Sequence, residues 1–431
     1  MSSSIAETGN RTYDVVVVGG GPAGAIAAIQ AARLGAQTLL VEKNGVLGGT
    51  TTSAAINYPG LFHAWGRQVV AGIGWDLVCH AVRLAGDSLP DFADYHRPPN
   101  QLQVRVNPAI YAAVLDEAVL GSGATLLLHT LLAAVVRSND EWRVMLCGKE
   151  GLHEVRVRVL LDCTGDANAV ALAGYERVRN QQLQPATLSA RLSGYDLATL
   201  DFDQLDQAYH EAVTAGSLRP TDLAGGEEPV RHFLKDRGQN AIHVPGVDGS
   251  TSQGRTEAEI EGRQVLMRVY SFLRSLPGLE HLSIDFAASE CGIRETYTIR
   301  GKRRITVGDY TSGRMWDDAV CYSFYPIDVH RPGGEGIDLR PLVEGTFPTI
   351  PRGAMLPQGS SWLLAAGRCI AGDQEANSAY RVQASCMAMG QAAGVMAALA
   401  SLSGTEVEQL ALTEIHEVLK QHRAVVPGDL P

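Results

Sequence analysis

The sequence predicts an α/β protein: a nucleotide-binding domain of parallel strands with a three-stranded β-meander, interrupted by a mixed α+β insertion. Three observations carry this. Four valines at 15–18 lead into GGGPAG at 19–24 and then into AIAAIQAARLG. Buried-strand patterns recur at 13–42, 159–166 and 362–367, near both chain ends. From about 174 to 345 the texture turns polar and mixed, with few strand–helix alternations.

The valine run is β-branched and short, as a buried strand is. The run after it is rich in helix formers and is closed by Gly35. Gly19, Gly21 and Gly24 between them fit the G-x-G-x-x-G spacing that brings backbone N–H groups to a pyrophosphate. A second strand, QTLLVEK, ends in Glu42, 18 residues past Gly24. A carboxylate there accepts from the two hydroxyls of an adenosine ribose and disfavours a 2′-phosphate, which argues against NADP. Residues 44–60 form a Gly/Thr/Ser-rich loop, 66–86 a helix and 101–106 a strand. Asn107 caps a helix that stops at Gly121. TLLLH is a strand, and TLLAAVVRS, EWRVMLCG and LHEVRVRV form the antiparallel meander. VLLDCTGDANAV is a buried strand entering a polar turn. In the insertion, 255–275 is helical among strands at SARLSGYD, ETYTIRG and KRRITVGDY. SSWLLAAGRCIAG returns as a strand, and SCMAMGQAAGVMAALA is a close-packing helix. The expected domains are 1–173 and 346–431, together binding the nucleotide, and 174–345 as the insertion.

The composition narrows the function classes. A net charge of −11 with KRR at 302–304 as the densest basic cluster argues against nucleic acid and anionic membrane surfaces. The apolar run at 392–402 is too short to span a bilayer, and MSSSIAETGNRTYD lacks the basic and apolar regions of a signal peptide. The cytoplasm is the expected compartment. Seven cysteines without a C-x-x-C argue against a metal site and a redox dithiol. A homo-oligomer is left open.

The residues also carry a resemblance. GGGPAG, Glu42-Lys43 and the LGGTTT loop resemble the FAD-binding start of the glutathione-reductase-like flavoproteins, which have a Rossmann-like domain. DCTGDA (162–167) is similar to their A-T-G turn. ECGIRETYTIRG, SFYPIDVH, LAAGRCIAGDQEANSAYRV and SCMAMGQAAG match, in order, the family called FAD-dependent oxidoreductases. The resemblance implies one FAD and no particular substrate. It places Gly19, Gly21, Pro22, Ala23 and Gly24 at the pyrophosphate, and Glu42 and Lys43 at the adenosine ribose. It also places Gly49, Thr50 and Thr51 along the phosphates and flavin edge, and Leu132, Thr164, Gly165 and Asp166 near the AMP half. Gly367 and Arg368 stand where relatives have Gly-Asp, so Arg368 is a candidate phosphate contact. Arg381 and Val382 open the helix whose N–H groups face the flavin N1–C2=O2 edge. Two departures stand out: Tyr297-Thr298 replaces paired arginines, and Gln374 replaces an expected histidine.

Catalytic candidates come from the insertion and its return. Asp328 and His330 sit two apart on one strand face, where a carboxylate orients an imidazole as general base; the alternative is a structural pair. Arg294 alternates with Thr296, Thr298 and Arg300 on one face, as a substrate carboxylate anchor or part of a bridging Arg–Glu pair. Tyr325 and Gln374 follow as further candidates. Cys291 reads as apolar filler, and His63 as a cap over the flavin or a structural residue.

The leading expectation is an FAD enzyme that moves a hydride between a small organic molecule and flavin N5. A flavin monooxygenase, hydroxylase or halogenase ranks lower, because no tryptophan sits in a W-x-W-x-I-P motif. An electron-transfer subunit working with a partner protein is the third reading. Substrate and electron acceptor stay open.

Overall fold

Valines 15–18 are almost wholly buried, which stabilises by about 1.5–3 kcal/mol for each side chain. They form the end of the central strand, β1 (Thr12–Val18). It leads through the glycine turn into α1 (Pro22–Arg33), and β2 (Thr38–Val41) pairs parallel to β1. The computed structural model describes residues 11–138, 141–223, 228–334 and 336–430. Most of the N-terminal stretch considered above for a signal peptide lies outside them.

The main sheet has seven strands, in the order Thr125–Leu127, β2, β1, Gly151–Asp162, Glu141–Gly148, Leu131–Ser138, with Leu363–Ala365 also pairing to Gly151–Asp162. The α/β class, the Rossmann-like sheet and the meander are as expected. One join differs. The last meander strand and the following buried strand are a single 12-residue strand, antiparallel to Glu141–Gly148 over its first half and parallel to β1 over its second. Alternation from Val155 to Val159 passes straight into buried Leu160 and Leu161, with no residue to break the strand.

Both chain ends meet through small residues. Helix Gln383–Ser403 lies on α1, and a Cβ on Gly390 or Gly394 would fall 2.1 Å from Ala23 O or 2.5 Å from Ala27 O. This helix is 21 residues long and apolar enough to cross a membrane, but 83% of its most apolar window is buried inside the protein, as in a core helix.

Three local expectations are corrected. Residues 101–106 are a helical turn, Pro99–Leu102, followed by an isolated bridge at Val104, not a strand. KRRITVGDY gives helix Val307–Thr311, because Thr306 and Asp309 form a reciprocal capping box. Only Tyr297–Ile299 of the 290–301 stretch is strand, so the expected alternation of Arg294 through Arg300 on one face is absent. The Asn107 cap is present, its side chain accepting from Ala109 and Ile110 N–H.

Two apolar cores result. The first joins residues 13–170 to 299–426; the second is built from 186–293 alone. The stretch treated as the insertion, 174–345, thus supplies both. The functional cavities lie where the cores meet.

Candidate functional site

The glycine turn divides its labour. A Cβ on Gly24 would lie 1.8 Å from Gly19 O, and one on Gly19, whose φ is +103°, would lie 2.4 Å from Cys163 O. These two permit backbone to pack on backbone. Gly21 has no atom within 4 Å of its would-be Cβ and faces a cavity of about 630 Å³. No side chain caps the start of α1 there, so its first N–H groups are free for an anion. Beside it, the Glu42 carboxylate accepts from Gly20 N–H (2.7 Å) and Asn44 N–H (2.8 Å). Burial pushes its pKa up, while those two backbone bonds pull it down. Each carboxylate oxygen keeps a lone pair for a hydroxyl.

The cavity is lined by Gly19, Gly21, Pro22, Ala23, Glu42 and Lys43 from the first strand–turn–helix. Gly49, Thr50, Leu132, Thr164, Gly165 and Asp166 line it from the early loop and meander, and Gly367, Arg368 and Arg381 from the C-terminal part. Its size and donors suit a dinucleotide, so the residues present fit FAD. Three expected contacts stand behind the wall. Gly24 is spent on the packing just described. Thr51 is fully buried and donates to Gln383 Oε1, tying the early loop to the last helix. Val382 takes the N-cap position of that helix and packs towards Gly60.

Arg368 is engaged differently from the expectation. Its guanidinium donates to Gly165 O (2.7 Å), Ile293 O and the Asp166 carboxylate. Asp166 also takes Arg255 (3.0 Å) and Thr296 Oγ1 (2.7 Å). Burial works against its charge, but Arg368 and Arg255 hold its pKa below the usual carboxylate range. Arg368 therefore clasps the loop rather than reserving itself for phosphate.

Sequence reasoning missed the wall contributed by the second core. Ser250, Thr251, Ser252 and Arg255, at the start of helix Ser252–Arg274, line the cofactor cavity, and Lys43 pairs with Glu290 at 2.6 Å. The local signal was a small-residue turn, DGSTSQG, opening a long helix. Its approach to a loop more than 80 residues earlier has no local signature.

A second cavity, of about 890 Å³, opens between the cores and carries His330 and His243 with Tyr58 and Gln103. Asp328 and His330 do share a side of strand Ile327–His330, with His330 Nε2 3.7 Å from Asp328 Oδ1. Asp328 Oδ2 is 3.9 Å from Arg381 Nη2, and Arg381 lines the cofactor cavity. Gln184, which sequence reasoning passed over, accepts from His330 N–H (3.0 Å) and Arg381 (3.3 Å) through the same oxygen. The cofactor cavity, Arg381, Asp328, His330 and the second cavity therefore form one series.

Arg294, Gln374, Tyr325 and His63 stand off both cavities. Arg294 is buried, donating to Pro185 O (2.7 Å) and Thr187 Oγ1 (2.6 Å), so it neither reaches substrate directly nor pairs with Glu295. Gln374 donates to both Glu295 oxygens (3.0 and 2.9 Å) and to Gln182 O. Tyr325 OH accepts from Gln103 (2.8 Å), and burial drives its pKa up to about 12. His63 is stacked on Phe92 at 3.9 Å, in an aromatic cluster with Trp75, instead of capping the flavin. Cys291 is filler in the second core, donating to Ala258 O, although it also touches the cofactor cavity.

The expected boost to His330 from Asp328 is outweighed. Burial first, and Arg294 second, lower its pKa to about 4. The ring is neutral at pH 7; its Nε2 faces Asp328 and its Nδ1 is buried without a partner.

Similarity to known proteins gives the family. Dihydrolipoyl dehydrogenase from Trypanosoma brucei brucei is 58% identical over 53 residues, 12% of this chain and 11% of that protein. The mitochondrial enzyme of Schizosaccharomyces pombe is 55% identical over 47 residues, 11% and 9% respectively. The chain thus matches about a tenth of the length of these curated relatives. Among solved structures, a geranylgeranyl bacteriochlorophyll reductase-like protein from Thermoplasma acidophilum aligns at 14% identity and TM-score 0.46, over 96% of this chain and 84% of its own. OxyS anhydrotetracycline hydroxylase from Streptomyces rimosus aligns at 14% and 0.46, over 96% and 66%. The family model for FAD-dependent oxidoreductases matches residues 14–419, nearly the whole chain, and the protein belongs to that family, as an enzyme that binds FAD.

Proposed function

We propose that the chain carries out a two-electron, hydride-type oxidation or reduction of a small organic molecule held in the 890 Å³ cavity. The observation that carries this is the series of Arg381, Asp328 and His330, which links a side chain lining the cofactor cavity to one lining the 890 Å³ cavity. When bound, FAD supplies a two-electron acceptor or donor at N5. The cofactor would be held by the open Gly21 turn, the uncapped start of α1 and Glu42, with Arg255 and Ser252 closing it from the second core.

His330 handles the proton. Neutral at pH 7, it accepts a proton from a substrate hydroxyl or amine as the neighbouring C–H is lost as hydride. Asp328, 3.7 Å away, stabilises the imidazolium that forms. Gln184 fixes the His330 backbone and Arg381 together, which limits drift between the two cavities.

The test is an anaerobic screen of metabolite mixtures against the yellow holoprotein, following bleaching of the flavin band. Bleaching by an alcohol, amine or saturated acid without pyridine nucleotide supports the reading. Bleaching only by NADH or NADPH, with oxygen consumed when an aromatic compound is added in air, replaces it with a monooxygenase.

A further inference from the structure

Arg294 is 7% exposed and, among the described residues, forms no ion pair. Its hydrogen bonds go to neutral groups, Pro185 O, Thr187 Oγ1 and the His243 ring. The carboxylates nearby are engaged elsewhere. Asp328 is shared between His330 and Arg381, and Glu295 is held by Asn180, Gln184 and Gln374. Asp236, on the second cavity, is paired with His232 at 3.6 Å. Burial and the nearby Arg381 lower the Arg294 pKa to about 9, against an opposing pull from Asp328, and the guanidinium is charged at pH 7. A buried cation whose one nearby carboxylate is already shared between two other groups is costly, so proteins seldom keep one.

The charge is relayed to the cavity. Arg294 Nη2 lies 3.4 Å from His243 Nε2. A guanidinium only donates, so Nε2 accepts and the ring proton sits on Nδ1. His243 reaches the second cavity, with its ring 5.2 Å from that of His330. We propose that the inner end of this cavity binds a carboxylate of the substrate, which accepts from His243 and supplies the negative charge that Arg294 lacks. The proposal rests on the two-electron reading above and narrows its substrate to carboxylic acids whose reacting carbon lies towards His330. A neutral hydroxyl there would leave Arg294 uncompensated. The Arg294 role expected from the sequence is thus indirect: it orients and polarises His243 as a positioning residue.

Calorimetric titration of the oxidised holoprotein with benzoate, and with benzamide as its neutral isostere, tests this without turnover. Benzoate should bind at least about tenfold more tightly, the size of one hydrogen bond to a charged group. His243→Phe, which keeps a ring but removes the donor, should abolish that preference while flavin content stays unchanged. Equal binding of both probes, no binding of benzoate at millimolar concentration, or an intact preference in His243→Phe overturns the assignment. Each of those results leaves the two-electron reading to stand or fall on flavin bleaching alone.

Discussion

The two cavities of this protein are built from different material. The cofactor cavity is mostly backbone and small side chains: glycine turns, a helix start without a cap, and Thr164 and Ser252 on its rim. Arg255 and Arg368 are paired with Asp166 and Lys43 with Glu290, while Glu42 is held by backbone N–H groups. The second cavity is walled by large polar side chains from both cores, and the cations behind it, Arg294 and Arg381, outnumber Asp328. A dinucleotide is recognised by backbone dipoles at fixed spacing, so its site tolerates neutral surroundings. A reacting molecule needs groups whose protonation is tuned, and tuning requires burial and uneven charge.

Substitutions within one motif would break this contrast most sharply. Gly24→Val sets a side chain against the Gly19 carbonyl, a backbone clash beyond the usual overpacking cost of about 1–3 kcal/mol; soluble protein should be lost. Gly21→Ala enters open space, so the protein should keep its Tm and lose flavin, read by absorbance after desalting. Equal damage from both would mean that Gly21 is structural too.

Asp328→Asn should lower stability by about 3–5 kcal/mol in a denaturant titration, because it leaves Arg381 unpaired and His330 without its carboxylate. His330→Ala should keep FAD and slow anaerobic flavin reduction by about 10²–10⁴-fold, the usual contribution of a positioned base. A His330→Ala enzyme reduced at the normal rate would place the proton acceptor elsewhere.

The histidines give the second cavity an acid sensitivity that the cofactor cavity lacks. His330 protonates at about 4 and His243 at about 2 in the fold, against 6.5 for an ordinary imidazole. Between those values the unfolded chain binds more protons. Stability is therefore full above pH 6.5 and is lost as pH falls, by about 2 kcal/mol per histidine at pH 5. Tm measured from pH 7.5 to 5 should fall, and fall less in His243→Gln. The smallest expected effect is Lys43→Gln. Its half-exposed pair with Glu290 is worth at most about 1 kcal/mol, seen as a modestly faster FAD release that salt erases.

Much of the cofactor site was legible in the chain. The valine strand, the glycine spacing and Glu42 lie within 28 consecutive residues, residues 15–42, and hydrogen-bond to one another directly. The Asn107 cap and the glycines of the last helix were likewise local signals. The second cavity was not legible. His330 was visible through its spacing from Asp328, but His243 in AIHVPG had no neighbour to mark it. Gln184 acts through Glu295, His330 and Arg381, all more than 100 positions away, and Arg255 reaches Asp166, 89 positions away.

The sequence by itself determined the α/β class, the strand–turn–helix that holds the nucleotide and the acidic strand end, because side-chain size and backbone freedom act over a few residues. Only the tertiary structure decided that Arg294 is a buried cation behind a histidine, and that His330 is kept neutral. It also decided that Arg368 clasps Asp166 and that the second core closes the cofactor cavity. Burial and electrostatics depend on what surrounds a group, and those surroundings are assembled by contacts between distant parts of the chain.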